Sequence, residues 1–240
     1  MLPFVPLVND DRALSYSPLL KAAVLTLEYI NEHGPIPLTP SKGLKRQFVN
    51  WAARAFDWPG YTESDLFAVN KVLNEIDFPP LMILHDILLG AKLARHFKGA
   101  LHTTKLGREM RLQPGELWPL LTEFLLCRID FCHQRQPDEQ LMGNWDVFLN
   151  VLNVEVHDSA SANQLCEILY GTEAREEGRN HRLSSPFYVQ ILRPLCWAGL
   201  LSQCAGDKRF GGERQFVKTP LWSVALRLET DVLVKEATRH

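Results

Sequence analysis

The two halves of this chain carry the same arrangement of apolar, small and polar residues. In the first half, Leu88-Leu-Gly-Ala-Lys-Leu-Ala94 leads into a polar stretch that returns as Leu101-His-Thr-Thr104-Lys-Leu-Gly107. In the second, Leu195-Cys-Trp-Ala-Gly-Leu-Leu201 leads into a longer polar stretch that returns as Phe216-Val-Lys-Thr219-Pro-Leu-Trp222. Each apolar run ends on a small residue, and a leucine then opens an alternating segment. Turn-forming residues, Lys98-Gly99 in one case and Gly206, Gly211 and Gly212 in the other, send the chain back. A threonine then stands where its side-chain oxygen can cap the next element. The pattern predicts two antiparallel hairpins, each directly after a helix, with Leu93 and Leu200 in their first strands.

This pattern resembles the small-Gly-Leu and Leu-x-x-Thr-x-x-Gly signature in the C-terminal half of winged-helix domains. The resemblance implies a mainly α chain with small antiparallel β-hairpins, arranged as tandem winged-helix-like units. In that family the small residue lets the third helix pack on the first wing strand, and the threonine caps the helix after the wing. Two departures stand out: Lys92 replaces the usual glycine in the first copy, and Trp222 replaces it after the second threonine. The stretch Thr39 to Val49 also resembles an uncharacterised group of bacterial and plasmid-borne proteins.

Helical periodicity places further elements around these hairpins. Ser17 caps a helix from Pro18 to Glu32, and Pro35 to Leu38 forms at best an edge strand, because Pro35 and Pro37 lack N–H donors. Thr39-Pro40 reads as the start of a helix whose apolar face holds Leu44, Phe48, Trp51, Ala52 and Ala55, with Phe48 and Trp51 buried. Thr62 caps a helix from Glu63 to Ile76, and Leu81 to Ala91 is an almost wholly apolar, buried helix. Further helices fall near Leu117–Cys132, 145–156, 160–170 and Ser184–Trp197. The divisions expected are an arm at 1–16, a first domain at 17–133, a linker at 134–144 and a second domain at 145–240. Phe4, Val5 and Leu7 on the arm need a surface to cover them, on their own chain or in a homodimer.

Composition narrows the classes. With 22% charged residues and a net charge of −2 over 240 residues, the molecule has no overall basic field, so any nucleic-acid contact must come from a local patch. The five cysteines are odd in number and scattered, which fits reduced thiols in a cytoplasm. The opening Met1-Leu-Pro-Phe4 lacks the form of a secretory signal, and no run reaches the length of a membrane span.

No catalytic residues, metal ligands or cofactor are expected. Cys127 and Cys132 fall in one apolar helix without a second pair, and the glycines at 206–212 do not fit a phosphate loop. His157, Asp158 and Ser159 are triad residue types, but adjacency does not build a triad, and Asp158 reads as a helix cap. His96 and His102 face each other across the first hairpin as polar residues. The candidates for DNA contact are Lys42, Arg46 and Arg54, spaced as a helical stripe with Asn50, and Arg182, Arg193, Lys208, Arg209 and Arg214 around the second hairpin. The second unit is expected to dominate, because the helix before the first hairpin offers almost no polar edge to a base. Two functions fit: a DNA-associated regulator, or a module that binds a protein partner.

Overall fold

The structure, a computed structural model, describes residues 2–131, 141–171, 180–204 and 213–237. The chain divides into two compact units, Leu7–Ile129 and Met1–Pro6 together with Asp130–His240.

In the N-terminal unit, α1 (Pro18–His33) starts where the Ser17 hydroxyl accepts the Leu20 amide, and it buries Leu19, Leu20, Ala23, Leu27 and Ile30. It stops at Gly34, whose φ of 85° no β-carbon opposes. The edge strand β1 (Ile36–Pro37) follows as expected. The next helix, α2 (Arg46–Phe56), begins later than Thr39-Pro40 suggests. Thr39 closes a turn on itself: its N–H donates to the Gly43 carbonyl and its hydroxyl accepts the Gly43 amide. Lys42 is left-handed at φ 66°, so Pro40 stiffens a turn instead of opening a helix. On α2, Phe48 is buried as expected, whereas Trp51 is half-exposed at the edge of an aromatic group with Tyr29, Phe48 and Phe56.

The helix α3 (Glu63–Val69) carries a reciprocal cap between Thr62 and Asp65, but it ends well short of Ile76. A 3-10 turn at Glu75–Asp77 takes over, closed by a second reciprocal cap between Asn74 and Asp77. Ile76, expected on a core face, is 74% exposed, because the turn points Glu75 inward in its place. Next, α4 (Pro79–Gly90) is buried through Leu81, Leu84, Ile87 and Leu88. The hairpin of β2 (Ala94–Phe97) and β3 (Ala100–Thr103) turns on Lys98 and Gly99, both left-handed, which is the primed turn that matches strand twist. The unit closes with α5 (Lys105–Met110) and α6 (Pro114–Cys127). Its sheet has the order β1-β3-β2, all antiparallel.

The C-terminal unit repeats this order. It contains α7 (Trp145–Glu155), β4 (Ala160–Ser161), α8 (Ala162–Tyr170), α9 (Asn180–Phe187) and α10 (Arg193–Ala198). A π-helical turn, Tyr188–Leu192, joins α9 to α10 just before Pro194, whose ring and missing N–H disturb the regular ladder. The hairpin strands are β5 (Leu201–Cys204) and β6 (Gln215–Lys218), and the sheet order β4-β6-β5 matches that of the first unit. The last elements are α11 (Pro220–Ala225) and α12 (Asp231–Ala237). Ser161 caps α8 together with Gln164, so the cap expected at Asp158 falls three residues later.

Both hairpins follow a helix directly, and both are antiparallel. Each strand begins one residue after the expected leucine: Leu93 and Leu200 instead offer their carbonyls to the amides of Thr104 and Thr219. Phe4 and Val5 find their cover on the same chain, since Phe4 bridges to Leu226 and the Val5 amide donates to the Ala225 carbonyl.

Candidate nucleic-acid interface

Of the expected stripe, Arg46, Asn50 and Arg54 lie on α2, whereas Lys42 sits in the preceding turn. The Arg46 Nε donates to Asn74 Oδ1 at 2.9 Å, and the Arg54 Nε to Glu63 Oε1 at 2.8 Å. Both pairs are exposed, so they contribute little stability, but each holds its guanidinium along the unit's own surface. In the second unit, the Arg193 guanidinium lies over Phe131 at 5.4 Å and over Trp197 at 5.0 Å. Cation–π contact with two rings holds this guanidinium on its own unit. Arg214 lies 5.9 Å from the Tyr188 ring. The side chains of Arg182, Lys208 and Arg209 fall outside the described residues.

A different set of cations surrounds the first hairpin. Lys92, Arg95, Lys98, Lys105 and Arg108 are all exposed, and from Ile87 to Arg108 the chain has no Asp or Glu. Arg95 and Lys98 both lie 5.3 Å from the half-exposed Phe97 ring. Arg95 pairs in register with His102, and Phe97 meets His102 edge-on, so cation, aromatic ring and imidazole share one face of the hairpin. Glu109, just beyond the run, reaches Lys105 only at 3.9 Å in an exposed pair. The acid-free run is legible in the sequence.

The opposite face of the same hairpin is different. Ala94 and Leu101 are buried there, and His96 joins them, so His96 and His102 point to opposite faces and do not meet. His96 Nε2 lies 2.9 Å from His85 Nε2 on α4, and His85 Nδ1 lies 2.7 Å from Glu75 Oε1. The other Glu75 oxygen accepts the Leu44 amide at 2.7 Å. Partial loss of solvent raises the carboxyl of Asp86, also on α4, from its ordinary value, against the opposing pull of His85.

Other chemistry-bearing groups are locked into structure. Burial pushes the Cys166 and Cys196 thiols up to about 12, so they are inert at neutral pH. Asn153 is a buried hub that accepts from the Trp222 indole and donates to Thr230 and Asp231, while Lys218 donates to its backbone carbonyl. Among the described residues no group of three metal-binding side chains gathers, and no helix is long and apolar enough to cross a membrane.

Two domains of one family account for most of the chain. Residues 15–116 match the Y4jL N-terminal domain and residues 134–220 match the y4jL C-terminal domain, so the chain belongs to the two-domain y4jL family. Within it, the chain is 38% identical over 178 residues to the uncharacterised protein y4jL of Sinorhizobium fredii, across 74% of this chain and 81% of that protein. No solved structure matches it.

Proposed function

We propose that the protein is a non-enzymatic DNA-associated binding protein built from two winged-helix-like units, with phosphate contacts made by the first hairpin. The repeated order of helix, short strand, further helices and antiparallel hairpin supports the winged-helix reading. So does the pairing of the short strand with the second hairpin strand in both sheets. The observation that carries the DNA reading is the exposed cationic run Lys92, Arg95, Lys98, Lys105 and Arg108, uninterrupted by a carboxylate. Cations on a hairpin suit a duplex backbone, where each one displaces a counterion. The helix before this hairpin exposes Met82 and Asp86, which suits neither phosphates nor a guanine edge, so the reading predicts weak dependence on sequence.

The test is a salt titration of the full chain on mixed-sequence duplex DNA, beside a variant with Lys92, Arg95 and Lys98 changed to Gln. The log–log slope of the variant should flatten by about 0.9 for each phosphate that the variant no longer neutralises. Absence of binding by the parent even at low salt would remove the DNA reading. A protein partner is the second reading, favoured by Phe67, Val69, Val72 and Ile76, which expose apolar side chains within one short segment. A Val69→Ser/Ile76→Ser pair should leave DNA affinity unchanged and abolish association with such a partner.

A further inference from the structure

Beneath the cationic hairpin, three titratable groups form one line from the interior to the sheet. Glu75 is 9% exposed and His85 6% exposed, and together with His96 they join four segments: the turn before α2 through the Leu44 amide, the 3-10 turn, α4 and β2. Space around the carboxylate is tight, since a β-carbon on Gly43 would lie 2.9 Å from Glu75 Oε2. Between the two imidazoles the facing atoms are both Nε2, so the contact needs a proton on one of them and a lone pair on the other. Two protons would set N–H against N–H, and the contact would fail.

We propose that this line of groups is a proton-operated latch on the first hairpin: with one proton between the two Nε2 atoms it ties β2 to α4, and with a proton on each it opens. Every charged group facing the pair bears on the second proton. His85 and Asp86 belong to α4, Glu75 to the 3-10 turn and Lys42 to the turn before α2, while the register partner across the hairpin is the apolar Leu101. Burial, then the charge of His85, then that of Lys42 hold His96 below its ordinary value, with Glu75 pulling the other way. The folded protein therefore resists the proton that the unfolded chain accepts. The stability due to the latch is complete above about pH 6.5, the ordinary imidazole value, and is lost as pH falls through the lowered value of His96. Opening also adds a positive charge to β2, the strand that carries Arg95, so DNA should bind more tightly in acid; this last consequence alone rests on the nucleic-acid reading.

The latch is tested on the full chain by following imidazole nitrogen resonances and the amide exchange of Ala94–Phe97 between pH 8 and 5. His96 should titrate below the ordinary value, and the β2 amides should lose protection on the order of tenfold per pH unit between about pH 6.5 and that midpoint, relative to α1. In His96→Gln the side-chain amide still donates to His85 but cannot titrate, so the acid loss should vanish. Glu75→Gln removes the charge that draws protons toward His96, so opening should move to lower pH, and this variant serves if His96→Gln does not fold. A His96 midpoint at or above the ordinary value, or an equal acid loss in His96→Gln, overturns the latch. Duplex DNA affinity at pH 5.5 and 7.5 forms a separate arm. Tighter binding in acid that His96→Gln abolishes supports the coupling, equal affinity at both pH values removes it, and no binding at either removes the DNA reading while the resonances still judge the latch.

Discussion

The two units answer one local problem with different residues at the same point. Where helix gives way to hairpin, the backbone turns left-handed: Gly199 does so at φ 85° in the C-terminal unit, and Lys92 does so at φ 58° in the N-terminal unit. The threonine hydroxyl after each hairpin then reaches back across the gap, Thr219 to the Gly199 carbonyl and Thr104 to the Lys92 carbonyl. That conformation costs a lysine about 1 kcal/mol, whereas a glycine adopts it freely. The first unit thus carries a charge at a position where backbone alone favours glycine. After the threonine the exchange is reversed. Gly107 lets α5 press onto the Leu93 carbonyl, 2.0 Å from where a β-carbon would stand, while the second unit places the large Trp222 there. The cap adjusts: Thr104 accepts the amide three residues on, and Thr219 the amide two residues on. A shared turn can therefore be built around a close backbone approach or around a buried ring.

Substitutions at these paired positions sharpen or break that comparison. Trp222→Ala should have the largest effect, about 3–5 kcal/mol, because it opens a ring-sized cavity and withdraws the indole donor from Asn153. Chemical denaturation measures it, and a change below about 1 kcal/mol would mean the ring is not the filler of its unit. Gly107→Ala should follow at about 1–3 kcal/mol, since the added methyl meets backbone that cannot swing aside. A neutral result would show that α5 can shift off the Leu93 carbonyl. Smallest is the exchange at the left-handed position. Gly199→Ala should destabilise by about 1 kcal/mol and Lys92→Gly should stabilise by a similar amount. If Lys92→Gly also weakens DNA binding, the strained lysine is kept for its charge; unchanged binding would detach Lys92 from the interface.

Repetition made the hairpins legible, since the small residue, leucine and threonine recur in order and each has a local physical role. Ser17, Thr62, Thr104 and Thr219 were readable as caps for the same reason. The failures came where distant partners outweigh local preference. Ile76 lost its core place because Glu75 finds His85 and the Leu44 amide, and no spacing rule links residues 44, 75, 85 and 96. Thr39-Pro40 has the composition of a helix start, yet the left-handed Lys42 and the following Gly43 commit the threonine to a turn. The charges of Arg193 and Arg54 alone do not reveal partners such as Phe131, far along the chain, and Glu63 on the next helix.

Residues 3–5 lie antiparallel to residues 225–227, with the Arg227 amide donating to the Pro3 carbonyl and the Val5 amide to that of Ala225. The C-terminal unit is thus discontinuous along the chain, and residues 3–5 leave the ribosome well before the segment they pair with. At ordinary elongation rates that segment waits on the order of ten to forty seconds for its partner, while the whole N-terminal unit emerges between them. Throughout that interval Phe4 and Val5 have no finished surface to cover them. Completing the C-terminal unit therefore joins segments far apart in the chain, and a fragment spanning residues 130–240 would lack the pairing that residues 3–5 supply.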